Sequence, residues 1–216
     1  MPGGRRNSRF ADYDVRVFIN CPFDRAYQPL FRCIVFAVIY CGFRARSAQE
    51  IDDSSQVRID KIFGIIEECR FGIHDLSRTE LEKVSRLPRF NMPLELGMFL
   101  GAKRFGAGAQ SRKSCLILDR ESHRYQKFIS DIAGQDIRAH QQKERTAISE
   151  TRNWLRSYSG RTIPGGNQIE RDYRRFKSRL PALCRKLRLQ RSEMTFNDYS
   201  NIVTEWLKDE LQLVLW

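Results

Sequence analysis

Short apolar runs alternate with longer amphipathic segments between residues 15 and 121. The short runs are rich in β-branched and aromatic residues and end at polar or turn-forming positions, which is typical of buried strands. We predict four strands within the sequences VRVFIN (15–20), GFRARSA (42–48), FGIHDLS (71–77) and SCLILDRE (114–121). The segments between them are predicted to be helices. Two of them, 55–69 and 90–105, carry their apolar residues at helical spacing, whereas 29–40 is apolar nearly all round, which indicates a helix buried on more than one side. These helical segments are PLFRCIVFAVIY (29–40), SQVRIDKIFGIIEEC (55–69) and FNMPLELGMFLGAKRF (90–105).

Strict alternation of strand and helix indicates how these elements pack. Parallel strands joined by right-handed crossovers place helices on both faces of one sheet. The expected fold is therefore an α/β, doubly wound parallel sheet.

The pattern changes beyond residue 121. Residues 123–142 have weak periodicity and are expected to form a loop with short helical pieces. Three helices follow, within 146–159, around 169–187, and from Thr195, where Asp198 completes a capping box. We therefore expect a flexible N-terminus (1–13), an α/β domain (14–145) and a helical C-terminal extension (146–216).

Composition indicates the class of protein and its cellular compartment. The chain has 216 residues, of which 41% are hydrophobic, enough for one packed core. Its longest apolar run contains Arg32 and is too short to span a bilayer, and no secretory leader opens the chain. The 6 cysteines form no CxxC pair, so neither disulfides nor a metal site is expected. We expect a cytoplasmic protein without membrane contact.

The net charge of +12 raises the question of a nucleic-acid partner. The excess is spread along the chain, and attraction of a small phosphate-bearing ligand explains it equally well. Nucleic-acid binding remains a less favoured hypothesis. It would use the basic face of the helix around 169–187, which carries Arg171, Arg174, Arg175, Arg185 and Lys186.

Candidate chemistry collects where the predicted strands end. Asn20, Asp75 and Asp119 each stand at the carboxyl end of a strand. In open α/β sheets ligands bind outside this edge. We therefore expect the functional site there.

A carboxylate on the apolar face of the third helix strengthens this expectation. At about 100° per residue, Glu95 falls among apolar positions, and an unpaired buried charge is costly. Pairing with Arg46 or Arg58 is a structural explanation, whereas we favour a functional site. Asn91 is expected to cap this helix.

The order strand–HDLS–loop–NMPLELG resembles two families. One is the nucleoside 2-deoxyribosyltransferases, in which an aspartate ends a strand and a later helix carries a glutamate before a glycine. The other is the Toll/interleukin-1 receptor (TIR) domains that cleave NAD, whose opening strand VFIS is similar to VFIN here. The resemblance covers about residues 15–120 and implies a flavodoxin-like fold. Phe90 and Met92 depart from the Trp and Cys common near the TIR glutamate.

Both families act on N-glycosidic bonds, and the resemblance implies that activity here. Glu95 would attack the sugar carbon or stabilise its developing positive charge, and Asp75 would hold a ribose hydroxyl or assist the base. The substrate would be NAD, another nucleotide or a deoxynucleoside, with no separate cofactor. The resemblance to bacterial TIR-like proteins also implies that this protein forms homo-oligomers and has an anti-phage role. The implied substrate-binding residues are Asn20, Phe23, Asp24 and Asn91.

Two alternatives remain open at this stage. The domain could be a non-catalytic nucleotide sensor or assembly module, which predicts a structural arginine partner for Glu95. The enzyme hypothesis predicts a cleft that exposes Glu95 and Asp75 together.

Other reactive side chains are weaker candidates. Cys21 lacks a histidine at a recognisable spacing, and His74 should point away from Asp75. His123 and His140 are expected to be solvated loop residues.

Overall fold

The computed structural model describes residues 12–50, 53–79, 89–160 and 162–213. Five parallel strands form one sheet in the order β2-β1-β3-β4-β5. This order is that of a flavodoxin-like, doubly wound sheet, so the predicted α/β class is confirmed. The strands are β1 (Arg16–Asn20), β2 (Arg44–Arg46), β3 (Phe71–Asp75), β4 (Ser114–Asp119) and β5 (Ile137–Ala139).

Helices cover both faces of this sheet because neighbouring strand residues point in opposite directions. Val17 joins the core formed with α1 and α4, whereas Phe18 packs among residues of α2 and α3. The helices are α1 (Gln28–Tyr40), α2 (Arg58–Glu68), α3 (Asn91–Phe105), α4 (Glu144–Ser159), α5 (Gly166–Lys186) and α6 (Phe196–Leu211).

The three C-terminal helices, α4, α5 and α6, pack into the core on the face of the sheet that α1 covers. Helix α1 is buried along most of its length and lies between the sheet and these helices. The ring of Phe36 on α1 contacts Tyr173, Phe176 and Trp206, with ring centroids 5.1, 5.3 and 6.1 Å away. The segment predicted as an extension therefore supplies one wall of the central core.

The start of α6 matches its sequence signal. Thr195 accepts a hydrogen bond from the backbone N–H of Asp198 at 3.1 Å, and Asp198 accepts from the Thr195 N–H at 2.9 Å. This reciprocal pair is the predicted capping box, and it fixes where α6 begins.

The sequence pattern missed strand β5. Residues 123–142 were expected to contain only loop and helical pieces, yet Ile137–Ala139 pairs with β4. This strand has three half-buried residues at the sheet edge, too few to show an alternating pattern. Short 3-10 turns at 124–127 and 130–132 precede it, as the expected helical pieces.

The predicted flexible N-terminus falls mainly on residues 1–11, which lie outside the described residues. Tyr13, at its end, is buried and donates its hydroxyl to the Ala109 carbonyl at 2.6 Å. Among the described helices, none is both long enough and apolar enough to cross a bilayer.

Candidate functional site

Three polar residues end neighbouring strands at one edge of the sheet. Asn20, Asp75 and Asp119 are the last residues of β1, β3 and β4, which confirms their predicted positions. Because the strands are parallel and adjacent, these side chains start from the same edge. The ligand-binding edge of the fold thus carries an amide and two carboxylates.

Asp75 is the centre of a buried hydrogen-bond network. Its Oδ2 accepts the Tyr27 hydroxyl at 2.6 Å and lies 3.0 Å from Nε2 of His140. Its Oδ1 accepts the backbone N–H of Ser77 at 2.8 Å and also the Ser77 hydroxyl. The carboxylate therefore joins the loop after β1, the end of β3 and the residue after β5.

This network decides the charge of Asp75. Burial alone would raise its pKa, but the His140 ring beside it and the hydrogen bonds from Ser77 and Tyr27 outweigh burial and hold the pKa below its ordinary value. The side chain has 0% exposure. Asp75 is thus an ionised group that orients its neighbours and is covered by them.

His140 differs from its sequence expectation. It is fully buried, so the prediction of a solvated loop histidine is wrong, whereas His123 is exposed as expected. Nδ1 of His140 accepts the Gln142 backbone N–H at 2.9 Å, so in the neutral ring we assign the proton to Nε2, which faces Asp75. Strand β5 carries His140 into the sheet edge, and β5 was the strand that the pattern missed.

Glu95 is buried on α3 without a partner among the described residues. Its side-chain face is shared with Met92, Leu96 and Phe99, as the helical spacing predicted, and the residue is 5% exposed. No hydrogen bond or ion pair joins it to another residue in the described part of the chain.

Neither arginine considered as a structural partner pairs with Glu95. Arg46 forms ion pairs with Glu50 at 2.5 Å and Glu68 at 2.9 Å. Arg58 is exposed and acts on Glu95 only as a nearby positive charge. The structural explanation offered by the sequence is therefore wrong for both residues.

The isolation of Glu95 changes its chemistry. Burial raises its pKa from 4.5 to about 7, and the attraction of Arg58 opposes this shift without cancelling it. At neutral pH the carboxyl group is therefore divided between its protonated and ionised forms. A group in this state is suited to acid–base or electrostatic work near pH 7.

Cys21 links the surroundings of the two carboxylates. Burial raises the pKa of its thiol well above the ordinary value, and the charges of Asp75 and Glu95 add to the rise. The thiol is therefore protonated and poorly suited to act as a nucleophile. Both carboxylates lie within electrostatic reach of it, although Asp75 has no exposed surface, contrary to the expected cleft that exposes both.

Asn20 holds the start of α3 against the sheet. Its Nδ2 donates to the Met92 carbonyl at 2.9 Å and lies 3.0 Å from Nδ1 of His74. His74 packs edge-on against Phe99 and faces away from Asp75, as predicted. Asn20 is 2% exposed, so its observed contacts are those of a positioning residue.

Asp24 and Phe23 shape the loop after β1. Asp24 accepts the Tyr27 backbone N–H at 3.1 Å and forms an ion pair with Arg78 at 3.4 Å. Phe23 is half-buried and meets the ring of Phe31 edge-on, with centroids 5.9 Å apart. This loop lies beside the Asp75 network through Tyr27.

Asn91 is exposed at the first position of α3. The predicted capping role is wrong, because Phe90 occupies the N-cap position and no side chain caps the helix there. The Phe90 carbonyl accepts the Leu94 N–H at 2.9 Å, so the helix begins one residue earlier than the pattern indicated. The Asn91 amide is left facing solvent.

The cleft above the Asp75 network is small. It has a volume of about 20 Å³ and is lined in part by Tyr27, Ser77, Arg78 and His140. This space accommodates about one water molecule. A nucleotide does not fit directly above Asp75 in this conformation.

Tyr27, Ser77 and His140 are the members of the network that the sequence analysis missed. Ser77 could have been recognised, because an aspartate followed two residues later by a serine is typical of a side-chain–backbone turn. Tyr27 and His140 reach Asp75 across the fold, and nothing in their local sequence points to that contact.

Two other predictions concern metals and nucleic acid. Within the described residues, no group of three or more His, Cys, Asp or Glu side chains is placed to hold a metal ion. The basic face of α5 is exposed, but part of its charge is neutralised, since Arg174 pairs with Glu170 at 2.6 Å and Arg175 with Asp172 at 3.3 Å.

Comparison of the chain with protein-family models, with curated proteins and with solved structures gave no match.

Proposed function

We propose that the protein is a nucleotide N-glycosidase in which Glu95 acts on the sugar carbon. The observation that carries this proposal is the buried carboxyl of Glu95, which has no partner among the described residues and a pKa raised to about 7. An ionised carboxylate without a partner destabilises a fold, so its placement calls for a role beyond packing.

The reaction breaks the bond between C1′ of the sugar and the ring nitrogen of the base. The bonding electrons leave with the base, and C1′ gains positive charge in the transition state. The ionised form of Glu95 would stabilise this charge, or bond briefly to C1′. Water then adds its oxygen to C1′ and releases a proton. A base that is already cationic, such as nicotinamide, leaves neutral and needs no acid.

The other residues have supporting roles in this proposal. Asp75 is a positioning residue that orients Tyr27 and His140, because its own oxygens are covered by hydrogen bonds. Asn20 fixes the first turn of α3 through the Met92 carbonyl and so places Glu95. Substrate contact falls to exposed or half-exposed groups, which are Phe23, Asp24 and Asn91.

The resemblance of residues 15–120 to deoxyribosyltransferases and to NAD-cleaving TIR domains supports the same chemistry. It also supports NAD or another nucleotide as the substrate. Assembly into homo-oligomers and an anti-phage role are proposed on the resemblance alone. Specific activity that rises with protein concentration would support assembly.

One observation favours a second candidate, a nucleotide-binding module without catalysis. The hydrogen bonds of Asp75 are satisfied within the chain, as in a purely structural network. In that case Glu95 would lie beside a bound nucleotide without attacking it.

A turnover assay tests the proposal. The full chain is incubated with NAD, NADP, ATP and a deoxynucleoside panel, and free base is measured by chromatography. We expect base release by the wild type and a loss of about 100-fold or more in Glu95→Gln, since a transition-state charge interaction is removed. Protein concentration is varied so that activity requiring assembly is also detected.

The matched control is Glu205→Gln, which removes an exposed carboxylate from α6. It should keep wild-type activity. Equal activity of wild type and Glu95→Gln would contradict the proposal. Binding of a nucleotide by a concentrated wild-type sample that releases no base would favour the binding module instead.

A further inference from the structure

A second cleft, on the other face of the sheet from α3, carries an unusual set of positive charges. It has a volume of about 930 Å³ and lies between the first turn of α1 and the residues that lead into α6. Three arginines line it, Arg25, Arg32 and Arg191, and among the described residues no aspartate or glutamate does. We call it the arginine cleft.

The three arginines have no acidic partner among the described residues. In the described part of the chain, none of them forms an ion pair or a side-chain hydrogen bond. Arg25 and Arg191 are exposed, and the guanidinium of Arg32 lies over the ring of Tyr199, 5.6 Å from its centroid. The aromatic contact places one charge while leaving its hydrogen-bond donors available.

A neighbouring cleft shows that arginines without acidic partners are not a general result of the basic composition of the chain. That cleft, on the other side of α6, has a volume of about 760 Å³ and is also lined by arginines. There Arg16 pairs with Glu68 at 3.0 Å, and Arg46 pairs with Glu50 and Glu68. Both carboxylates line the same cleft, so its positive charge is neutralised.

Two helices add to the positive potential of the arginine cleft. Gln28 in the first turn of α1 and Phe196 in the first turn of α6 both line it, so the positive ends of both helix dipoles face it. The described segment that leads into α6 carries Glu193, and the first turn of α6 carries Asp198. Each accepts a backbone N–H of its own segment, from Gln190 and Thr195 respectively.

The floor of the cleft is apolar. The buried rings of Phe31 and Phe196 lie there with centroids 6.0 Å apart, and the half-buried Met194 also lines the cleft. A ligand with phosphate groups at one end and a planar ring at the other matches this division. Its volume falls within the range of sites for such small molecules, about 300–1,000 Å³.

We propose that the arginine cleft binds a nucleoside diphosphate or triphosphate, with the phosphates on Arg25, Arg32 and Arg191. The site is separate from Glu95, which lies on α3 against the opposite face of the sheet. It does not depend on the proposed glycosidase activity. A bound nucleotide would cross-link the start of α1 to the segment before α6.

Isothermal titration calorimetry of the full chain tests this site. The probes are inorganic pyrophosphate, ADP and adenosine, none of which requires turnover to be detected. We expect ADP to bind more tightly than pyrophosphate, and adenosine to bind at least about tenfold more weakly than ADP, since it lacks the charge-assisted bonds. The double variant Arg25→Gln/Arg191→Gln should lose about tenfold or more in affinity for ADP.

The matched control is Arg179→Gln/Arg185→Gln, which removes the same charge from exposed positions of α5. It should change ADP affinity by less than about twofold. An equal loss in both double variants would mean nonspecific attraction and would overturn the proposal. Unchanged ADP binding by the cleft variant, absence of ADP binding, or binding of polynucleotides alone would overturn it as well.

Discussion

Asp75 and Glu95 are two buried carboxyl groups in the same part of the fold, and they are in opposite states. Asp75 accepts hydrogen bonds from Ser77 and Tyr27 and faces His140, and its pKa is lowered. Glu95 has none among the described residues, and burial raises its pKa to about 7. Burial alone therefore does not determine how a carboxyl group behaves. Its hydrogen-bond partners do.

The difference in hydrogen bonding between Asp75 and Glu95 indicates different roles for the two carboxyl groups. A carboxylate whose donors are all supplied by the chain contributes to stability and geometry. A carboxyl group that the chain leaves unsatisfied lowers stability and is available for chemistry. The first belongs to the fold, and the second is our candidate for catalysis.

Substitution at Asp75 should have the largest effect on stability. Asp75→Asn removes the charge that His140, Tyr27 and Ser77 face, so we expect a loss of about 3–5 kcal/mol in the free energy of unfolding. Urea denaturation measures it. Because the pKa of Asp75 is lowered in the folded state, its contribution is present above the unfolded pKa near 4 and is lost as the pH falls through the folded pKa.

Asp24→Asn provides the comparison for that experiment. Asp24 is a partly exposed carboxylate near the same edge, and its ion pair should be worth less than about 1 kcal/mol. If Asp75→Asn costs no more than Asp24→Asn, the network does not stabilise the fold as described.

Glu95→Gln should increase the free energy of unfolding, whereas Asp75→Asn lowers it, and the increase should depend on pH. The folded pKa of Glu95 lies above its unfolded value, so the wild type loses stability as pH rises from about 4.5 to about 7. The variant should therefore be more stable than the wild type at about pH 8.5, by at most about 3 kcal/mol, and similar at about pH 4.5. Urea denaturation at both values measures this, with Glu205→Gln as the exposed control. A difference that does not grow with pH would contradict the raised pKa.

Tyr27→Phe sharpens the comparison with a smaller change. It removes one hydroxyl donor at 2.6 Å from Asp75 while the other donors remain. We expect a loss of about 2 kcal/mol, the value of a bond to a charged group. Tyr158→Phe, at an exposed residue bonded to Ser114, should cost a few tenths of a kcal/mol. Equal losses in thermal or urea unfolding would mean that the Tyr27 bond contributes little.

Arg58→Gln should have the smallest effect. Arg58 lowers the pKa of Glu95 from an exposed position, so its removal should raise that pKa by less than about one unit. To measure the shift, Glu95→Gln is made in the wild type and in Arg58→Gln, and the stability difference that it causes is followed against pH. The midpoint of that pH dependence gives the pKa of Glu95 in each protein. Arg104→Gln, at the other end of α3, should leave the midpoint in place. A downward shift in Arg58→Gln would contradict the assigned attraction.

The positions of the two carboxyl groups within their strand and helix could be predicted from the sequence. The strand ends at Asn20, Asp75 and Asp119 follow from runs of β-branched and aromatic residues that stop at a polar position. The buried side of Glu95 follows from helical spacing, because Met92, Leu96 and Phe99 surround it on one face. Local periodicity is sufficient in both cases.

The partners of the carboxylates could not be predicted in the same way. Tyr27 lies 48 residues from Asp75 in the chain, and His140 reaches it only because β5 pairs with β4. Such contacts depend on tertiary packing, which local patterns do not encode. The lack of an arginine that pairs with Glu95 within the described residues has the same origin, since Arg46 is instead held by Glu50 and Glu68.

The proposed role of Glu95 requires a carboxyl group that has no partner among the described residues and titrates near neutral pH. Carbon-13 NMR of protein labelled at the glutamate side-chain carboxyl measures this directly, and comparison with Glu95→Gln assigns the signal. We expect one glutamate resonance with a midpoint near pH 7 that is absent from the variant. A Glu95 signal that titrates near pH 4.5, with the other glutamates, would contradict it.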